Sequence, residues 1–145
     1  MDKRLFFLMH RAHHALVADV TARTVMALGV SPAQLATLHY VAKHPGCSLT
    51  DVANLLDVAK SAVTSMVRRM EAAGIVRREP NAKDGRGSLL RVTPKGEGIR
   101  VQALPLMRKL NAEIMEGFTP AEAETILRFI HSIVARYGDA DRDEG

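Results

Sequence analysis

Two helical patterns stand only three residues apart in the middle of this chain, and the second gives way at once to a strand period. The first, LTDVANLL, covers 49–56. The second covers 60–73 and stops at Gly74. Stepping KSAVTSMVRRM at about 100° per residue puts Lys60, Ser61, Thr64, Ser65, Arg68 and Arg69 on one half of the wheel and Ala62, Val63, Met66, Val67 and Met70 on the other. A helix divided in this way has to bury its apolar half. The connection Asp57-Val58-Ala59 is so short that the preceding helix, through Val52, Ala53, Leu55 and Leu56, is the nearest partner. Beyond Gly74 the segments IVRRE and SLLRVT are β-rich and separated by turn-forming residues, which predicts a hairpin. Any fold for the chain must therefore be built around two closely linked helices and a hairpin that follows them.

Three helix starts share one chemistry. Ser31-Pro32-Ala33-Gln34, Ser48-Leu49-Thr50-Asp51 and Thr119-Pro120-Ala121-Glu122 each offer a hydroxyl at the N-cap and a side-chain acceptor three residues later, a pair that satisfies orphaned backbone N–H groups. Proline at the first helical position, as in two of these, sacrifices no bond. Thr93-Pro94 is a fourth start without the reciprocal residue, because Gly96 stands there. Helices are predicted over 3–28, ending at Gly29, and over 32–43, 94–118 and 120–137, with Pro105 inside the penultimate one. The polar, acidic end 139–145 is predicted to be a frayed tail. The fold class is mainly α with a small β-hairpin wing: a winged helix-turn-helix over 30–96, flanked by an N-terminal helix (1–29) and C-terminal helices (97–138).

The charge distribution points to a partner. The whole chain carries +4, yet Lys60, Arg68, Arg69, Arg77, Arg78, Lys83, Arg86, Arg91 and Lys95 crowd into one segment against only Glu71, Glu79 and Asp84. A basic block on an otherwise near-neutral chain is the footprint of a polyanion-binding face. Small hydroxyls flanked by cations suit a helix entering the major groove of double-stranded DNA. Ser61, Thr64, Ser65 and Arg68 are expected to read or frame bases, and Lys60, Arg69 and Lys83 to hold phosphates. At the hairpin tip Gly85 and Gly87 leave Arg86 unobstructed to enter the minor groove. Asp84 is expected to accept a hydrogen bond that orients Arg86 or closes the turn.

These residues are similar to the MarR (multiple antibiotic resistance regulator) family of bacterial winged helix-turn-helix transcription factors. The resemblance runs over 31–96. Its most specific part is the wing: Asp84, Arg86, the strand through Leu90 and Arg91, then Thr93-Pro94-Lys95-Gly96. Met70-Glu71 with Gly74 resembles the end of the family's recognition helix, and Arg78 falls where its first wing strand carries arginine. Gly85 and Gly87 depart from the family pattern. The resemblance implies a ligand-responsive repressor acting as a homodimer on a palindromic operator, its N- and C-terminal helices interleaved. Apolar residues of Leu5 to Met9 and of 104–134 offer more apolar face than a small winged module can cover. The resemblance also implies a pocket for a small aromatic anion between dimer helices and winged module, which His10, Arg11, His14, His39 and Tyr40 could border.

Other functions leave weaker traces. His10 and His14 stand one helical turn apart with His13 beside them, but no third ligand is evident, so no metal site and no cofactor are expected. Cys47 is the sole cysteine, so no intrachain disulfide can form, and it is expected to be a structural thiol. No metalloprotease, nucleophile-elbow or P-loop motif occurs, and GRGSLL precedes a strand instead of a helix, which argues against an enzyme. No apolar run approaches the ~18 residues of a membrane span, and charge interrupts the N-terminus too early for a signal peptide, so the expectation is a cytoplasmic protein without a membrane partner. A sequence-indifferent nucleoid or RNA-binding protein would keep the basic face. The shortage of aromatics for base stacking, 4% of the chain, disfavours it.

Overall fold

The computed structural model describes residues 1–81, 83 and 87–138. Its elements follow in the order α1 (Leu5–Leu28), α2 (Pro32–Lys43), β1 (Cys47–Ser48), α3 (Leu49–Leu56), α4 (Lys60–Ala72), β2 (Val76–Pro80), β3 (Ser88–Val92), α5 (Pro94–Ile114) and α6 (Pro120–Tyr137). The mainly helical winged architecture expected from the sequence is present. All three predicted capping boxes close in both directions, at Ser31 with Gln34, Ser48 with Asp51 and Thr119 with Glu122.

Two features differ from the sequence reading. The hairpin β2–β3 gains a third strand, because β1 pairs antiparallel with the outer side of β3, Cys47 against Leu90 and Ser48 against Leu89. Helix α5 ends at Ile114 instead of near 118. Its last N–H groups tighten into three-residue turns, Glu116 bonding Glu113 and Phe118 bonding Met115, and Gly117 takes φ 89°.

The chain divides into two units, Met1–Met107 and the remainder from Arg108. In the first, α2, α3, α4 and the sheet enclose a core built on Leu38, Val41, Val52, Val63, Val67, Met70, Val76 and Leu90. Helix α1 buries only Thr24 and leaves Leu5, Phe6, Phe7, Val17, Val25 and Met26 exposed. In the second, α6 buries no residue, and Leu127, Phe129, Ile130 and Val134 are exposed.

Candidate nucleic-acid interface

The turn between α3 and α4 sets the geometry of the site. Asp57 adopts φ 53°, ψ 46°, the left-handed conformation that lets the chain reverse in three residues, and Val58 N–H closes the turn on the Ala53 carbonyl at 3.2 Å. Aspartate is among the few L-residues that visit this region at modest cost. Helix α4 then starts at an N-cap, Ala59, that supplies no side-chain bond. The Ala62 N–H closes on the Ala59 carbonyl at 3.0 Å, so of its first turn the Lys60 and Ser61 N–H groups are left to solvent or to a ligand.

The core claims Val63, Met66, Val67 and Met70 of α4, as the wheel predicts. Ala62, placed by the wheel on the buried half, is exposed at its margin. The opposite face carries Lys60, Ser61, Ser65, Arg68 and Arg69, all exposed, and Thr64, half-buried. The Thr64 hydroxyl donates to the Lys60 carbonyl at 2.9 Å, so only its lone pairs remain to meet a partner. Lys83 is exposed, and its N–H bonds Asn81 Oδ1 at 3.1 Å. Asp84 and Arg86 lie outside the described residues.

The basic block is not one surface. Arg77 and Arg91 sit directly opposite each other on β2 and β3, a like-charge pairing that would be unfavourable alone. Glu79 bridges them, at 3.1 Å to Arg77 and 3.3 Å to Arg91. Arg78 points to the other face of the strand and grips Glu71 of α4 with two bonds, 3.0 and 3.3 Å. This hydrogen-bonded fork holds the Glu71 carboxyl below its ordinary range and pushes the guanidinium up. Lys95 donates to the Ala73 carbonyl at 2.9 Å. Four of the basic residues therefore have intramolecular work, whereas Lys60, Arg68 and Arg69 have no ion pair among the described residues. Counting charges in sequence misses this division. An acidic residue at the same end of α4 as the first wing strand is the one signal that hints at the Glu71–Arg78 fork.

The residues expected at an effector pocket are not gathered in one place. A cavity of about 200 Å³ lies among Val20, Thr24, Pro32, Leu35, Ala36, His39 and Met107, and of the five candidates only His39 lines it. Burial, reinforced by Arg100 and Lys43 and opposed by Glu97, lowers the His39 pKa. His10, Arg11 and His14 are exposed on the first half of α1. The two imidazoles are 6.5 Å apart, and Arg11 lies 5.9 Å from the centre of the Phe7 ring. Tyr40 stacks on His44 at 4.3 Å. Cys47 is buried in β1, where burial and then the Asp51 charge raise its thiol pKa.

Comparison with known proteins places this geometry. Residues 28–87 match the model of the MarR family. The transcriptional repressor MdtR of Bacillus subtilis is 38% identical over 116 residues, covering 80% of this chain and 73% of MdtR. The transcriptional regulator BilQ of Clostridioides difficile is 30% identical over 96 residues, and the match spans 66% of this chain and 65% of BilQ, just under two thirds of its length. Among solved structures, the transcriptional regulator BldR of Sulfolobus solfataricus superposes with a TM-score of 0.80 at 26% identity, covering 94% of this chain and 99% of that one.

Proposed function

The chain belongs to the MarR family of DNA-binding transcriptional regulators, and from that premise we propose that it is a cytoplasmic repressor that occupies a palindromic operator as a homodimer. The observation that carries this reading is the α4 surface: small hydroxyls and three cations without acidic partners among the described residues, on a helix whose first turn lacks a side-chain cap, directly ahead of a hairpin. In this reading Ser61, Thr64, Ser65 and Arg68 frame base edges in the major groove. Lys60, Arg69 and Lys83 hold phosphates, and Arg86 reaches the minor groove, with Asp84 orienting it or closing the turn. Residues 30–96 form the DNA-binding part, and 1–29 with 97–138 the dimerising part. The exposed apolar faces of α1 and α6 support dimerisation, because monomers seldom leave such stripes in water. Twofold symmetry would set the recognition helices about 34–36 Å apart, one turn of DNA.

Release would come from a small aromatic anion that favours a different spacing of the two winged modules, a shift between populations of one dimer. The cavity beside His39 is the proposed entry point, with His10, Arg11, His14 and Tyr40 contributing from their own helices or from the second copy. Titration with phenolic carboxylates tests this, and neither binding nor weaker DNA affinity would count against it.

The DNA reading is tested by selecting duplexes from a random-sequence library and measuring affinity across a salt series. Arg86→Ala should lose preference for the selected duplex, whereas Lys60→Ala should weaken binding to all duplexes and lower the salt slope by about one. If both bind like the parent, the contact map is wrong.

A further inference from the structure

Six carbonyls around the C-terminal end of α4 have donors, three of them on residues about twenty positions away. Within the helix end, Ala73 N–H bonds the Arg69 carbonyl, Ile75 N–H the Met70 carbonyl and Gly74 N–H the Glu71 carbonyl. With Gly74 at φ 73° this is a Schellman closure. Three carbonyls just past the helix find their donors at the start of α5. Lys95 Nζ donates to Ala73 at 2.9 Å, the Thr93 hydroxyl to Gly74 at 2.6 Å, and the Thr93 N–H to Ile75 at 3.2 Å. The same Thr93 oxygen accepts from Gly96 N–H at 3.1 Å, so one hydroxyl caps α5 and closes α4 together. Gly96 is glycine because a Cβ there would run into the Ile75 carbonyl oxygen.

We propose that Thr93, Lys95 and Gly96 form a clamp that sets the angle at which the recognition helix leaves the wing, and that Lys95 serves DNA binding as a positioning residue and not as a phosphate contact. The inference rests on the reading of α4 as the recognition helix. Its physical basis is twofold. An ammonium at a helix C-terminus meets both the unsatisfied carbonyls and the negative end of the helix dipole. Each bond also joins the residues that close α4 to the residues that open α5, so movement of α5 is transmitted to the helix that faces DNA.

The two roles of a lysine differ in salt dependence. A phosphate contact contributes about 0.9 to the slope of log affinity against log salt, and a helix clamp contributes nothing. Lys95→Met should therefore weaken binding to a library-selected duplex roughly threefold or more with an unchanged slope, whereas Lys60→Met should lower the slope by about one. Lys95→Arg, which keeps a donor for the carbonyl, should restore affinity. Hydrogen exchange of the amides at 72–76, read without DNA, should quicken in Lys95→Met and Thr93→Val and stay slow in Lys95→Arg and Thr93→Ser. Parental affinity in Lys95→Met, or a slope lowered by about 0.9, overturns the clamp. So does unaltered exchange at 72–76, even if the parent chain binds no duplex at all, a result that would refute the DNA reading separately.

Discussion

Gly96 and Gly98 stand two positions apart in the first turns of α5, and alanine at each should move stability in opposite directions. Alanine is a better helix former than glycine by about 1 kcal/mol. At Gly98 nothing lies within 4 Å of the added methyl, so Gly98→Ala should collect most of that gain. At Gly96 the same methyl falls inside contact distance of the Ile75 carbonyl oxygen and 2.9 Å from Val92 Cγ1. That carbonyl is held by the Thr93 N–H at 3.2 Å, so it cannot retreat without losing its bond. Overpacking a tight site costs about 1–3 kcal/mol, and a lost backbone bond about 1 kcal/mol more. After subtracting the propensity gain, Gly96→Ala should lose about 1–3 kcal/mol. For a chain of this length each kcal/mol moves Tm by roughly 2–4 °C. Calorimetry at a single protomer concentration should therefore find Gly96→Ala melting several degrees below the parent and Gly98→Ala a few degrees above it. If Gly96→Ala melts as high as Gly98→Ala, the approach of α5 to the end of α4 is not as tight as described.

Three further outcomes follow from the titratable groups. His39, neutralised more readily in the fold because burial and then Arg100 and Lys43 disfavour its charge, is protonated more easily when unfolded. Stability should fall as pH drops through its ordinary value near 6.5 toward its lower folded one, and His39→Gln should flatten that part of a pH–denaturation profile. The Glu71 carboxyl, lowered by its bond to Arg78, contributes fully above its ordinary 4.5 and loses that contribution as pH falls below it, so urea midpoints of Glu71→Gln and parent should converge in acid. The Cys47 thiol, raised by burial and then by Asp51, should react with a chromogenic disulfide at pH 8 only as fast as the protein opens; full labelling within seconds under native conditions would show that it is accessible after all.

What could be read from the sequence was local. A capping box spans three residues, so Ser31 with Gln34 and Thr119 with Glu122 are visible without knowing the fold, and the amphipathic face of α4 needs only the helical period. Strand β1 was invisible for the opposite reason. Two residues have no period, and Cys47–Ser48 is extended only because β3 offers a free edge 42 or so positions later, where Leu90 and Leu89 pair with it. The end of α5 was misplaced because the apolar stripe continues through Phe118, while Gly117 in a left-handed conformation had already reversed the chain. Ala62 misled in a smaller way, since a methyl fits either side of the helix margin.

The most consequential difference concerns charge. In sequence the residues between Lys60 and Lys95 form one basic block, but a side chain's charge is available to DNA only if no internal group has claimed it. Glu79 holds Arg77 and Arg91 together, Glu71 holds Arg78, and the end of α4 holds Lys95. Among the described residues, what remains for a polyanion on α4 is Lys60, Arg68 and Arg69, at the start and along the outer face of one helix. A smaller set of free cations makes the expected salt slope shallower than the nine basic residues imply, because each occupied phosphate contributes about 0.9 per site. The internally paired arginines then determine the shape of the DNA-binding surface, and their removal should change which duplex is preferred more than how steeply binding depends on salt.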